Sequence, residues 1–208
     1  GEIHALVGEN GAGKSTLMNI LFGMPVIHDT GGFEGEILVD GQTVNIESPM
    51  DAMNLGIGMV HQEFMLLPGF TVTENIKLNR ELGRPNIVSR ILGKKFELLD
   101  KEQMGKDSRQ ALDKLGVDID EWLPVAGLPV GYMQFVEIAR EIDKSRMKIL
   151  VFDEPTAVLT EAEADLFLNA VRRLAESGLA ILFISHRLDE VVGVAHDVTV
   201  LRDGEVVG

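Results

Sequence analysis

The chain is 208 residues long, 45% hydrophobic and 25% charged, enough for one large domain or two small ones with a sizeable core. A formal net charge of −14 opposes a sequence-independent grip on nucleic acid, which is made of Lys and Arg contacts to phosphate. With no cysteine, disulfides and thiolate metal sites are excluded, and no apolar run approaches the roughly 18 residues of a membrane span.

The sequence opens at Gly1 without a Met, directly on an apolar strand from Ile3 to Val7, so a longer natural polypeptide upstream is expected. Gly8-Glu9-Asn10-Gly11-Ala12-Gly13-Lys14-Ser15-Thr16 follows and fits the pattern G-x-x-x-x-G-K-[ST], with the helix-like run Leu17 to Phe22 behind it. A strand, a glycine loop and a helix start together make a concave run of backbone N–H groups for phosphate oxygens. Lys14 then neutralises the terminal phosphates, and the Ser15 hydroxyl is placed for a divalent cation. A glycine-rich turn with a chance Lys-Ser is the plain alternative; the strand-to-helix context argues against it.

A loop is expected over 25–32, then a hairpin in which the segments 35–39 and 43–46 flank Asp40-Gly41. Ser48-Pro49 opens a short helix that Gly56 ends, and the strand Ile57 to Val60 runs into His61-Gln62-Glu63. Thr71 with Glu74 predicts a capped helix over 71–80. From 81 to 121 the composition turns charged and helical, with Leu98, Leu99, Ala111, Leu112 and Leu115 near helical spacing and Gly83, Pro85, Gly93, Gly105 and Gly116 interrupting. Charge runs here, such as Lys94-Lys95, read as solvated faces.

Beyond Gly127 the alternation of strand and helix resumes: helix over 131–145, strand over 147–152, helix over 160–177, strand over 179–185 and helix over 187–195. Two closing strands then turn at Asp203-Gly204. This predicts an α/β fold with a mainly parallel sheet. Its strands end in chemistry. Met147 to Phe152 runs into Asp153-Glu154, two carboxylates that a buried strand tolerates only when paired or bound to metal. Beside the glycine loop, Asp153 suits Mg²⁺ and Glu154 suits polarising the water that attacks a γ-phosphate. Leu182 to Ile184 ends in Ser185-His186, an imidazole placed to contact that phosphate.

The glycine loop, Gln62 after a strand, Val151-Phe152-Asp153-Glu154-Pro155-Thr156 and Ser185-His186 stand in the order and spacing of the nucleotide-binding domain of ABC transporters, which the chain resembles over nearly its whole length. The resemblance implies a P-loop NTPase, RecA-like core, a small antiparallel β subdomain that includes 35–46, and a helical subdomain. On that reading 1–208 is a single ATP-binding domain, with 1–80 and 146–208 as core and 81–145 as helical subdomain. The segments 1–16, 56–63 and 128–140 look most like the first ATPase domain of tandem importers for simple sugars and nucleosides. The resemblance further implies ATP and Mg²⁺ as ligands. Gly8 to Thr16 and Gly131 would bind nucleotide, Ser15, Gln62 and Asp153 would hold the metal, and Lys14, Gln62, Glu154 and His186 would serve catalysis. The implied partners are a second ATPase domain closing head to tail, transmembrane permease subunits and, indirectly, a solute-binding protein, with no nucleic acid. The implied place is the cytoplasmic face of the membrane.

Three departures from the family pattern stand out. The signature position reads Leu128-Pro129-Val130-Gly131-Tyr132, and Pro129 removes both a hydroxyl and an N–H. Ala157-Val158-Leu159 replaces the usual D-loop Asp. The aromatic that stacks on adenine lies upstream of the first strand in this family, so ATP is expected to be held here mainly by its phosphates. Two other readings share the core: an ABC ATPase of ribosome or DNA metabolism, which the acidic balance opposes, and an ATP-gated dimerisation module of weak hydrolysis, which Pro129 and Tyr132 suggest.

Overall fold

A computed structural model of the chain describes residues 1–61, 64–86, 97–144 and 147–208. The buried strand β1 (Ile3–Val7) runs through the glycine loop into α1 (Lys14–Leu21). Part of the expected loop over 25–32 is a short helix, α2 (Pro25–Asp29). Pro25 occupies its first position, where a fixed φ and a missing N–H cost nothing. β2 (Ile37–Val39) and β3 (Gln42–Val44) form the expected hairpin. Both turn residues, Asp40 at φ 52° and Gly41 at φ 75°, take the positive values that suit an Asp-Gly pair. Ser48 caps α3 (Pro49–Asn54) by accepting the Asp51 N–H, and β4 (Ile57–Val60) follows.

The Thr71–Glu74 capping box is present with both hydrogen bonds, but α4 (Val72–Ile76) stops short of the expected Arg80. The Arg80 guanidinium itself donates to the Ile76 carbonyl at 2.6 Å, the acceptor that another turn would need, while the Arg80 N–H turns to Lys77. Leu98 and Leu99, expected in a helix, form a strand. β5 (Gly83–Arg84) pairs antiparallel with β6 (Leu98–Leu99), because Asp100 starts α5 (Lys101–Leu115) by accepting the Gln103 N–H. Gly93 and Lys94-Lys95 lie outside the described residues. Gly105 does not interrupt α5: a Cβ there would stand 2.6 Å from the Trp122 ring, so the glycine makes room for that ring. Gly116, at φ 72°, ends the helix in the left-handed region.

A 3₁₀ turn at Val125–Gly127 precedes α6 (Val130–Ile142), whose N-cap is Pro129. Then come β7 (Ile149–Asp153), α7 (Glu161–Glu176), β8 (Ala180–Ile184) and α8 (Leu188–Val194). β9 (Asp197–Arg202) and β10 (Glu205–Val206) close the chain around Asp203 and Gly204, again both at positive φ.

The chain divides into two compact units. The first comprises 1–62, 145–157 and 174–208 and holds a six-stranded sheet in the order β10-β9-β1-β8-β7-β4, parallel except for β10. Leu6, Met18, Phe22, Ile46, Ala52, Ile57, Val151 and Ile184 form one buried cluster of this unit. The second comprises 63–144 and 158–173 and is mainly helical, with α4, α5 and α6 packed on one another. In it Lys77 is buried between Asp107 at 2.7 Å and Asp143 at 2.8 Å, and Arg80 shares Asp143 at 2.7 Å. The rings of Phe135 and Phe167 meet at 6.4 Å between centroids.

Candidate functional site

Within the first unit, the register brings several chemically committed residues to one edge of the sheet. Leu6 and Asp153 both lie beside Ile184, and Val60 lies beside Phe152, so β1, β4, β7 and β8 all end at the same edge. At their carboxyl ends stand Gly8, His61, Glu154 and Ser185, where ligands of open α/β sheets bind.

The loop after β1 is shaped by its glycines. A Cβ on Gly8 would meet the Leu201 carbonyl oxygen at 2.5 Å, and Gly11 and Gly13 take φ of 87° and 104°. Lys14, though charged, is buried. Its Nζ turns back to donate to the carbonyls of Gly8 at 2.6 Å and Glu9 at 3.2 Å, so the ammonium fills the hollow of its own loop. Ser15 and Thr16 present their side chains to solvent at the first turn of α1. Glu9, Asn10 and Gly11 are exposed, and Ala12 is buried beneath them.

Asp153 is half-buried at the end of β7. Burial raises its pKa above the ordinary value, the neighbouring Glu154 charge adds to that, and His61 and Lys14 pull it back. Its carboxylate therefore shares a field with His61 and Lys14. Glu154 follows with φ 46°, a left-handed backbone uncommon for a residue with a Cβ. Its N–H is fixed by the Ile184 carbonyl at 2.9 Å, and its Oε1 lies 3.0 Å from Nδ1 of His186. Of the residues singled out in the sequence, Lys14, Asp153, Glu154 and His186 are thus gathered at one edge. Gln62 lies outside the described residues.

Gly131 belongs to the second unit, in the first turn of α6. The carboxylate of Glu163 stands beside it and accepts the Thr160 N–H at 2.9 Å and its hydroxyl at 2.7 Å. These Thr160 donors hold Glu163 below the usual carboxylate range.

Sequence reasoning passed over Glu190. This residue is buried in the first turn of α8, accepts the Thr156 hydroxyl at 2.5 Å and faces the Arg187 guanidinium at 2.6 Å. No motif marks it; the one available signal was an acid four residues after His186, next to Asp189 in the first turn of α8.

Residues 1–157 match the family described as ABC transporter. A ribose import ATP-binding protein of Rubrobacter xylanophilus is 45% identical over 208 residues, covering all of this chain and 38% of that protein. A glucose import ATP-binding protein of Haloferax volcanii is 44% identical over 227 residues, with 100% of this chain and 40% of that protein covered. The chain therefore spans well under half the length of these relatives. Among solved structures, an ATP-binding cassette of an ABC transporter in its ADP conformation superimposes with a TM-score of 0.79 at 27% identity, over all of this chain and 79% of the other. The cbiO1 structure from Clostridium perfringens, at 24% identity and a TM-score of 0.78, shares the fold over 100% of this chain and 76% of its own.

Proposed function

The chain belongs to the ABC transporter family, and from that membership we propose that it binds and hydrolyses ATP to power import of a small solute, a sugar or nucleoside. The observation that carries the proposal is the gathering of the Lys14 loop, Asp153, Glu154 and His186 at one sheet edge. The likeness to ribose import and glucose import ATP-binding proteins supports the choice of solute class.

In this reading the backbone N–H groups from Gly8 to Thr16 cradle the phosphates. The Lys14 ammonium leaves its own loop carbonyls to neutralise the terminal phosphate charge. Ser15, Asp153 and Gln62 offer the hard oxygen donors that suit Mg²⁺, and a cation beside Asp153 would offset the burial that raises its pKa. When bound, the metal supplies charge neutralisation on the phosphates. Glu154 accepts a proton from, or orients, the attacking water, and His186 holds the Glu154 carboxylate in place from the adjacent strand end. Gly131, at the head of α6, supplies an amide toward a second ATPase domain. We assign the chain a place on the cytoplasmic face of the membrane, joined there to permease subunits and served by a solute-binding protein. No helix among the described residues is long and apolar enough to cross a membrane.

The test is a calorimetric titration with Mg-ATP and with tripolyphosphate, alongside Lys14→Ala, followed by ATP turnover and solute uptake of the full-length protein with Glu154→Gln. Binding of both ligands that the lysine variant abolishes, and turnover and uptake that the Gln variant abolishes, are expected. Unchanged turnover in Glu154→Gln overturns the reading.

A further inference from the structure

Glu190 is a carboxylate in a place that disfavours one. Its residue is 5% exposed, and Thr156, whose hydroxyl it accepts at 2.5 Å, is 2% exposed. A buried charge is costly unless it is paired and hydrogen-bonded, and here the cation is Arg187, whose side chain keeps 39% of its surface in solvent. An apolar residue at 190 would fill the same volume without that cost, so the position of the charge asks for a reason.

The two groups it holds supply one. Thr156 stands two residues beyond Glu154 in the turn that follows β7, and Arg187 stands one residue beyond His186 in the turn that follows β8. Each turn is folded on itself: the Ala157 N–H donates to the Glu154 carbonyl at 3.2 Å, and the Arg187 N–H donates to Ser185 Oγ at 3.0 Å. Between them run the Glu154 N–H to the Ile184 carbonyl at 2.9 Å, the Glu154–His186 contact at 3.0 Å, and the bridge through Glu190. The first fixes where the Glu154 turn begins. The Glu190 bridge fixes its far side to the segment that bears His186.

We propose that Glu190 is a positioning residue: its carboxylate fastens the Thr156 turn to the Arg187 turn and thereby sets Glu154 against His186. This rests on the reading of Glu154 and His186 as the hydrolytic pair. A left-handed Glu154 persists only while its surroundings over-determine it, and the Thr156 tie is one of the restraints that do so.

The experiment uses the full-length natural polypeptide and measures kcat and KM for ATP, with Glu190→Ala, Thr156→Val and Glu190→Gln, each alone and combined with His186→Ala. Glu190→Ala and the near-isosteric Thr156→Val are expected to lower kcat about tenfold with KM within about twofold, the pattern of a misplaced rather than missing group. Glu190→Gln keeps an oxygen for the Thr156 hydroxyl and recovers most of the rate. In the His186→Ala background the loss from Glu190→Ala shrinks to less than about twofold, because residues acting as a unit are not additive. Equal losses in both backgrounds, or a rise in KM that tracks a fall in melting temperature, overturn the proposal. Should Glu190→Ala fail to fold, Thr156→Val carries the same cycle. The NMR resonances of the His186 ring give a readout independent of turnover: they shift in Glu190→Ala and Thr156→Val and stay put in Glu176→Ala. A wild-type protein without hydrolysis refutes the functional reading, whereas an unmoved His186 resonance refutes the role of Glu190.

Discussion

Asn75 answers both backbone groups of Leu67: its Oδ1 accepts the Leu67 N–H at 2.7 Å, and its Nδ2 donates to the Leu67 carbonyl at 3.1 Å. The same amide also donates to the Thr71 carbonyl at 3.0 Å, and the whole side chain is buried in the second unit. Two residues earlier, the Met65 N–H donates to Glu137 at 2.7 Å and the Met65 carbonyl accepts from Arg140 at 3.0 Å. The segment that follows Glu63 is thus held by helix side chains in place of a neighbouring strand. Asn75→Ala would remove the side chain that answers both Leu67 backbone groups and is expected to cost about 1–2 kcal/mol in chemical denaturation, since Leu67 itself is exposed and water can replace part of the loss. Asn75→Asp is expected to do no better, since it keeps one acceptor, loses the donor and buries a charge.

Asp153 gives a prediction with a sign. Its folded pKa is raised by burial, so the folded state binds a proton more readily than the unfolded chain, and the ionised group opposes folding at neutral pH. That opposition vanishes below the ordinary value of 3.8 and grows as the pH climbs through the raised folded value. Asp153→Asn is therefore expected to raise the nucleotide-free melting temperature at pH 7 by about 2 °C, the small end because half the group still meets water. The gain should fade toward pH 3.5, while Mg-ATP binding is weakened at every pH.

Glu154→Gln retains the shape of the side chain but cannot take a proton. Turnover is expected to fall by about 10²-fold or more with Mg-ATP affinity preserved, measured by single-turnover hydrolysis and titration. His186→Ala, which removes the imidazole 3.0 Å from Glu154, is expected to lower turnover without abolishing binding.

Phe152 and Phe183 are fully buried on neighbouring strands with ring centroids 6.5 Å apart. Both strands end in site residues. Phe183→Ala is expected to cost about 3–5 kcal/mol by thermal or chemical denaturation, from lost burial and the cavity left behind.

The sequence made legible whatever obeys a local rule. The glycine loop needs its residues at fixed offsets, the Thr71–Glu74 box closes within one turn, and Asp40-Gly41 and Asp203-Gly204 admit the positive φ of tight hairpins. The strand ends that carry Asp153, Glu154 and His186 were legible because an apolar run must stop somewhere polar. What escaped depends on partners distant in the chain. Leu98 and Leu99 kept helical spacing with Leu112 and Leu115, but the carboxylate of Asp100 drew the helix boundary after them. Gly105 reads as a breaker until the Trp122 ring is known to fill its space. Glu190 meets Thr156 across 34 positions, a separation over which no periodicity speaks.

The left-handed backbone of Glu154 has an inheritance of its own. A glycine would occupy φ 46° with least strain, and an asparagine would tolerate it; on the reading proposed above, glutamate is kept there for what its carboxylate does. A lineage released from hydrolysis is thus biased to drift toward the residues that the backbone prefers. Gly or Asn at this position in a descendant would record the loss of the reaction, while the rest of the fold went on unchanged.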